Sequence, residues 1–278
     1  MRLRLAVATL AAVTLSTPAT AQPGAFEVMR GMIERLAANS EGIEDYTLTL
    51  RSGPIQANVY VYRDGDEWEV ASDGDEQFGD MLEGLVVWPT FHDMQGDFLA
   101  EDPTAEDLAR IEELVVLSTE TLNGRPADVV FVRMSGLNLE SEMPDSFRIY
   151  LDRESRQILR VHVAGRAEEV AEIASGGGEM DVRVDFDDYR ETDGLTVPHL
   201  LRMAMDVDLD LSDDERAITK SGIAAARAGL KEDDSEEARQ AAVLIDLFLG
   251  LLNEGRMELS ATVEDVRVNT GPPSWFDG

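Results

Sequence analysis

Three histidines are the residues best suited to catalysis or metal binding in this chain, and they form no known catalytic pattern. His92 falls in a predicted loop, His162 in a predicted strand, and His199 directly after Pro198. Imidazole acts as a general base or a zinc ligand when a partner side chain lies at a defined spacing. The sequence has no His-Glu-x-x-His pair, no Gly-x-Ser-x-Gly elbow and no cysteine. We therefore predict no enzyme activity, no catalytic residue, no metal site and no cofactor.

A run of aspartates is the second candidate site. Asp206, Asp208 and Asp210 alternate along a predicted strand, and Asp213 and Asp214 follow shortly after. Carboxylate oxygens at this density are ligands that calcium accepts, but the run lacks the glycine and the terminal glutamate of an EF-hand loop. A two-residue period is also what the solvent-facing side of a strand shows. We interpret the run as the wet face of a strand in an acidic protein.

The first residues have the three parts of a secretory signal peptide. Arg2 and Arg4 form a basic start, an apolar run covers residues 5–15, and Ala19-Thr20-Ala21 provides a cleavage site. The apolar run is shorter than the roughly 20 residues that a bilayer-spanning helix needs. We expect residues 1–21 to be removed during export to a bacterial periplasm, which leaves a soluble protein without a stable membrane span.

Charge limits the partners of the mature domain, which we expect to comprise residues 22–278. The chain carries 56 acidic and 24 basic residues, a formal net charge of −32. A charge of this sign repels nucleic acid and anionic membrane surfaces. The acidic residues serve either a basic partner or a general coat of solvated carboxylates, and their spread over the whole length favours the coat. The lack of cysteine excludes disulfides and a lipid-modified N-terminal cysteine.

The apolar pattern predicts an α+β protein built around an antiparallel sheet. Period-two alternation indicates strands, and Gly-containing turns between them indicate hairpins, with one turn at Asp193-Gly194 and another at Asn123-Gly124. The predicted strands cover residues 46–50, 55–61, 68–70, 115–122, 127–134, 146–151, 157–163, 182–186, 201–205 and a closing strand from Met257. About ten or eleven strands of this regular spacing are typical of a barrel or half-barrel.

Helices are predicted where apolar residues recur three and four positions apart. This pattern covers residues 26–36, and shorter helices are expected over 81–88 and 104–113. Residues 213–255 have helical composition between two strands, so we expect an inserted pair of helices there. Two interpretations of the insertion stay open: a plain packing element, or a movable lid over a ligand cavity. Both bury its apolar stripe.

Two segments resemble a known family. Tyr189 is followed by a short polar loop and by Gly194-Leu-Thr-Val-Pro198, which opens an alternating strand. At the other end of the domain, the segment 262–276 begins as an alternating strand. Within this segment, Asn269 is followed shortly by Phe276. Both segments resemble the LolA-like superfamily, the periplasmic lipoprotein carriers and their outer-membrane lipoprotein-sorting relatives.

This resemblance implies an incomplete antiparallel barrel whose concave face, partly covered by helices, holds acyl chains. The implied function is non-catalytic periplasmic binding of a lipid or lipoprotein acyl chain in an apolar cavity, as in outer-membrane lipoprotein sorting. The alternative is an envelope sensor or protein-interaction module on the same fold. The implied partners are lipid or lipoprotein acyl chains and a membrane-bound donor, acceptor or signalling protein.

The predicted ligand contacts are apolar residues on one side of the alternating strands. They are Leu48, Leu50, Val59, Val61, Val130, Val132, Ile149, Leu151, Val161, Val184, Phe186, Met203 and Met205. The predicted cover consists of helical residues: Met81, Leu82, Leu85, Ile245, Phe248, Leu249 and Leu252. A lipid tail gains about 0.8 kcal/mol for each CH₂ that it buries on such a face. Methionine suits this lining because its unbranched thioether adapts to irregular shapes.

Overall fold

The computed structural model describes residues 23–65, 67–73, 111–134, 146–166, 179–208, 211–230 and 235–276. The predicted signal peptide, the helix expected over 81–88 and most of the helix expected over 104–113 lie outside these ranges.

The described residues form ten strands and three helices. In chain order they are α1 (Pro23–Asn39), β1 (Asp45–Ser52), β2 (Ile55–Asp64), β3 (Glu67–Ser72), β4 (Ile111–Leu122), β5 (Arg125–Met134), β6 (Ser146–Asp152), β7 (Ile158–Arg166), β8 (Glu179–Thr192), β9 (Leu195–Val207), α2 (Asp213–Leu230), α3 (Glu236–Glu254) and β10 (Arg256–Val268). Each predicted strand is present, usually one to four residues longer than its apolar pattern.

All ten strands belong to one antiparallel sheet in the order β3-β2-β1-β10-β9-β8-β7-β6-β5-β4. Neighbours in the sheet are neighbours in sequence, except that β10 returns to lie between β1 and β9. Within the described part of the chain β3 and β4 are the two edges, so the sheet is open. The predicted α+β half-barrel is confirmed.

Local turn chemistry connects the strands. Asn123 and Gly124 have φ values of 51° and 79°, and Asp193 and Gly194 have φ values of 49° and 90°. Two successive residues with positive φ form the turn whose twist matches that of paired strands. Both turns lie where the sequence predicts them, and each joins a strand directly to its partner.

One predicted helix extends too far. The segment from Ile111 to Glu113 was expected to end a helix, but it begins β4, with Ile111 opposite Met134 and Glu113 opposite Arg133. Glu113 also forms an ion pair with Arg133 at 3.4 Å. Pairing with β5 outweighs the helical preference of this segment, because strand pairing is a tertiary contribution that local propensity does not contain.

The helical pair predicted between β9 and β10 is present as α2 and α3. The Ser235 side chain caps α3 by accepting a hydrogen bond from the Ala238 backbone N–H at 3.1 Å. Gly255 ends α3 in a left-handed conformation with φ 65°, and its N–H donates to the Leu251 carbonyl. The Gly255 carbonyl accepts from the Val207 N–H at 2.7 Å, so both ends of the helical pair meet at the sheet.

Candidate functional site

One face of the sheet carries a continuous apolar cluster to which all ten strands contribute. Twelve of the thirteen predicted ligand contacts are buried in it: Leu48, Leu50, Val59, Val61, Val130, Val132, Ile149, Leu151, Val161, Val184, Phe186 and Met203. Met205 lies at its margin, against a smaller cluster formed by Met180 and Val207. The structure therefore brings the predicted set together on one side of the sheet.

Helix α1 covers part of this face. Ala25, Met29, Met32, Ile33 and Leu36 are spaced three and four positions apart, and all five are buried in the main cluster. The sequence analysis predicts this helix but does not include it in the cover of the sheet. Its apolar stripe was the available signal, because a helix with one apolar side must bury that side against another element.

Helix α3 covers another part of the face through a different stripe than expected. Val243 and Leu247 pack against the main cluster, and Leu252 is buried. Phe248, which we expected in the cover, is 41% exposed. Val243 and Leu247 are four positions apart and therefore lie on the same side of α3, the side that faces the sheet. Phe248 projects away from the sheet.

The remaining residues of the predicted cover lie either on α3 or outside the described part of the chain. Ile245 and Leu249 are half-buried on α3. Met81, Leu82 and Leu85 lie outside the described residues.

The end of α1 is fixed to the sheet by one side-chain amide. Asn39 donates from Nδ2 to the Thr196 carbonyl at 2.9 Å, and its Oδ1 accepts from the Thr196 N–H at 2.6 Å. These two hydrogen bonds imitate those of a neighbouring strand. They satisfy the backbone of β9 at a position where β10 does not pair with it.

The turn between β6 and β7 contacts the middle of α1. Arg156 adopts a positive φ of 61° in this turn, and its side chain lies over Gly31, where an added Cβ would be 3.4 Å from the Arg156 Cγ. The guanidinium donates to Asp128 at 2.9 Å, and Arg153 pairs with the same carboxylate at 3.2 Å. A buried aspartate on β5 thus holds the side chain against which α1 packs.

Asp152 stabilises the same turn. Its Oδ1 accepts from the Ser155 N–H at 2.7 Å and from the Glu154 N–H at 3.0 Å, and Arg125 donates to Oδ2 at 2.8 Å. Burial alone would raise the pKa of this carboxyl, but the hydrogen bonds from Ser155 and Glu154 and the charge of Arg125 outweigh burial and lower the pKa. The ionised form is therefore the one that the fold stabilises.

We expect Asp152→Asn to lower the free energy of unfolding by about 2 kcal/mol at pH 7, the scale of hydrogen bonds to a charged group. A lowered folded-state pKa contributes stability above the unfolded pKa of about 3.9, and this stability is lost as pH falls through the folded value. The variant should therefore lose less stability than the parent as pH falls below about 4. Urea unfolding at several pH values measures both effects. Glu154→Gln, at an exposed neighbour, should change neither, and equal acid sensitivity of parent and Asp152→Asn would contradict the assignment.

The two segments that resemble the LolA-like superfamily have structural roles. The Tyr189 hydroxyl donates to the Ile158 carbonyl at 2.6 Å, and burial raises its pKa above the ordinary value. Asn269 accepts from the Glu44 N–H at 2.7 Å and donates to the Gly42 carbonyl at 3.0 Å. The first contact joins β8 to β7, and the second joins the end of β10 to the start of β1.

Two of the candidate catalytic and metal-binding side chains, His162 and Asp206, contact charged side chains on the other face of the sheet. His162 Nε2 lies 2.6 Å from Asp181. Arg183 donates to Asp206 at 2.8 Å, and Arg256 lies 3.8 Å from the same carboxylate. Within the described ranges no group of three or more His, Cys, Asp or Glu side chains could hold a metal ion. His92 and Asp210 lie outside those ranges.

None of the three helices described above combines the length and the apolarity that a membrane crossing needs.

Several solved structures are similar to this chain. An outer membrane lipoprotein-sorting protein domain, so described provisionally, from Vibrio parahaemolyticus is 12% identical, with a TM-score of 0.42 over 90% of this chain and 95% of that one. A DUF1329 family protein from Desulfovibrio piger is 9% identical, with a TM-score of 0.38 over 88% and 95%. A LolA superfamily protein from Nitrosomonas europaea is 7% identical, with a TM-score of 0.36 over 87% and 94%.

These similarities concern the fold alone. The superfamily named in the third description is the one that the two sequence segments resemble. No protein-family model matches the sequence, and no curated protein matches it either.

Proposed function

We propose that this protein is an exported, non-catalytic domain that binds a lipid or lipoprotein acyl chain on the apolar face of its sheet, beneath α1 and α3. The periplasm is its proposed compartment, because the basic start, apolar run and cleavage site of the first 21 residues are those of a signal peptide. Movement of the helices away from the sheet admits and releases the chain. The proposed partners are acylated molecules and a membrane-bound donor or acceptor.

The observation that carries this proposal is the apolar face itself. Every one of the ten strands contributes to a single buried cluster, although the sheet is open and its edges are separate strands. An open sheet with one apolar face needs a cover, and here helices rather than a second sheet provide it. A cover made of separate helices can be displaced without breaking the strand ladders.

The contacts between cover and sheet favour exchange with a lipid tail. Met29 and Met32 on α1 face a cluster that includes Met203 on β9, with Met257 of β10 packed against it. Flexible thioether side chains repack around ligands of different shape. An acyl chain that replaces helix side chains on the face buries a similar apolar area, so the exchange costs little net free energy.

We expect Met203→Gln to weaken binding of a fluorescent fatty acid by at least tenfold, about 1.4 kcal/mol. Glutamine keeps the length of the side chain but places an amide on the apolar face, where the amide has no partner when a tail is bound. A fluorescence titration measures the affinity, and circular dichroism of both proteins verifies the fold.

Phe248→Gln is the matched control, because Phe248 carries a larger apolar side chain but is exposed on α3. This variant should bind the probe as the parent does. Equal weakening by both variants, or a parent protein that does not bind the probe, would contradict the proposed site.

A further inference from the structure

Strands β9 and β10 separate at one end of their ladder, and His199 lies where they part. β10 pairs with β9 as far as Thr262, opposite Leu200, and then continues beside β1. β9 continues beside β8 to its first residue. The two strands therefore enclose a gap in the sheet that begins at His199. Asn39, at the end of α1, closes part of this gap by pairing with Thr196.

His199 is the polar member of an otherwise apolar row of side chains on β9. Four apolar residues lie at two-residue steps from His199 and so on the same side of β9. They are Leu195, Val197, Leu201 and Met203, and all four are buried in the main cluster. A polar side chain in this row lies at the margin of the face on which we propose that acyl chains bind. It is placed to contact the polar end of such a ligand.

One hydrogen bond fixes the chemistry of the imidazole. His199 Nδ1 lies 2.9 Å from the Val263 carbonyl oxygen. A carbonyl only accepts, so Nδ1 carries the proton and Nε2 of the neutral ring has a free lone pair. Nε2 is buried, and no hydrogen-bond partner reaches it in the described part of the chain. A buried acceptor without a donor destabilises the state that contains it.

We infer that Nε2 of His199 accepts a hydrogen bond from an O–H or N–H group at the polar end of the bound acyl ligand. This inference rests on the proposed function and names the ligand chemistry of that site. The tail would extend from the gap over Leu201 and Met203. The empty, closed state keeps the acceptor unpaired and the loaded state pairs it, so the hydrogen bond contributes to the difference between the two states.

Three probes with the same tail test this inference: a monoacylglycerol, a fatty acid N-methylamide and a fatty acid methyl ester. The first carries hydroxyl donors, the second an amide N–H donor, and the third no donor. We expect the protein to bind at least one of the first two about tenfold more tightly than the ester, as one buried hydrogen bond allows. Whichever donor probe binds more tightly identifies a hydroxyl or an amide head.

Two substitutions separate this contact from a structural role of His199. His199→Asn keeps a donor for the Val263 carbonyl and has no atom at the position of Nε2, so the donor preference should disappear while ester affinity stays unchanged. His199→Gln places its amide group near the position of Nε2 and should retain part of the preference. Melting curves of both variants verify the fold.

The outcomes are distinct. Ester and donor probes bound with equal affinity by the parent protein, or a preference that persists in a folded His199→Asn, would overturn the assignment of Nε2 but leave the apolar site intact. Failure of all three probes to bind would overturn the proposed function and this inference together.

Discussion

A disulfide between Gly31→Cys and Arg156→Cys is expected to reduce lipid uptake to background, and reduction of the disulfide is expected to restore it. An added Cβ at Gly31 would lie 3.4 Å from the Arg156 Cγ, and this proximity is compatible with disulfide geometry. The bond would tie α1 to the β6–β7 turn and keep it on the sheet. If acyl chains enter beneath α1, the oxidised protein cannot admit them. Uptake of a fluorescent fatty acid, with and without reductant, is the measurement.

The controls for this experiment are unusually simple, because the chain contains no cysteine of its own. Gly31→Cys and Arg156→Cys made singly should take up the probe in both redox states. Arg156→Cys also removes one of the two cations that pair with Asp128, and this single variant accounts for that loss. Normal uptake by the fully oxidised double variant would show that α1 does not have to leave the sheet.

Gly255→Ala is expected to lower the free energy of unfolding by about 3 kcal/mol, with a matching shift of the urea midpoint. Gly255 has a φ of 65°, and an added Cβ would lie 2.9 Å from the Val207 carbonyl oxygen. Any side chain there strains the backbone and presses on β9. The same substitution disturbs the hydrogen bond from the Val207 N–H that joins the helical pair to the sheet.

Gly222→Ala is the matched control for this prediction. Gly222 lies within α2, and an added Cβ there has no neighbour within 4 Å. Alanine in a helix interior is favoured over glycine, so this variant should gain about 0.5–1 kcal/mol. The two substitutions add the same methyl group and should change stability in opposite directions. A similar effect of both would show that the Gly255 joint is not strained.

Local patterns predict the strands and their turns because each of these elements depends on residues that are close together in the sequence. Alternation of apolar and polar residues defines each strand, and Asn123-Gly124 and Asp193-Gly194 have the residues that positive φ requires. The apolar face could also be predicted, since residues two apart on a strand share a side. For the same reason twelve of the thirteen proposed ligand contacts lie in one cluster.

The arrangement of the cover could not be read from local patterns. Helix α3 is apolar on more than one side, and tertiary packing selects Val243 and Leu247 for the sheet while Phe248 stays exposed. Asn39 is 157 residues from its partner Thr196, and no spacing rule connects two such positions. The contact between Arg156 and Gly31 depends on a positive φ in a turn without glycine, which its residue types do not indicate.

Native mass spectrometry of the protein, purified gently from its native cells, tests the central claim most directly, with organic extraction and identification of bound molecules. We predict that the protein carries one acylated molecule, a phospholipid or an acylated peptide, and that delipidated protein takes up added lipid. A protein that is empty as purified and takes up neither lipid nor fatty acid would contradict the proposal. Its apolar face would then be an ordinary core beneath α1 and α3.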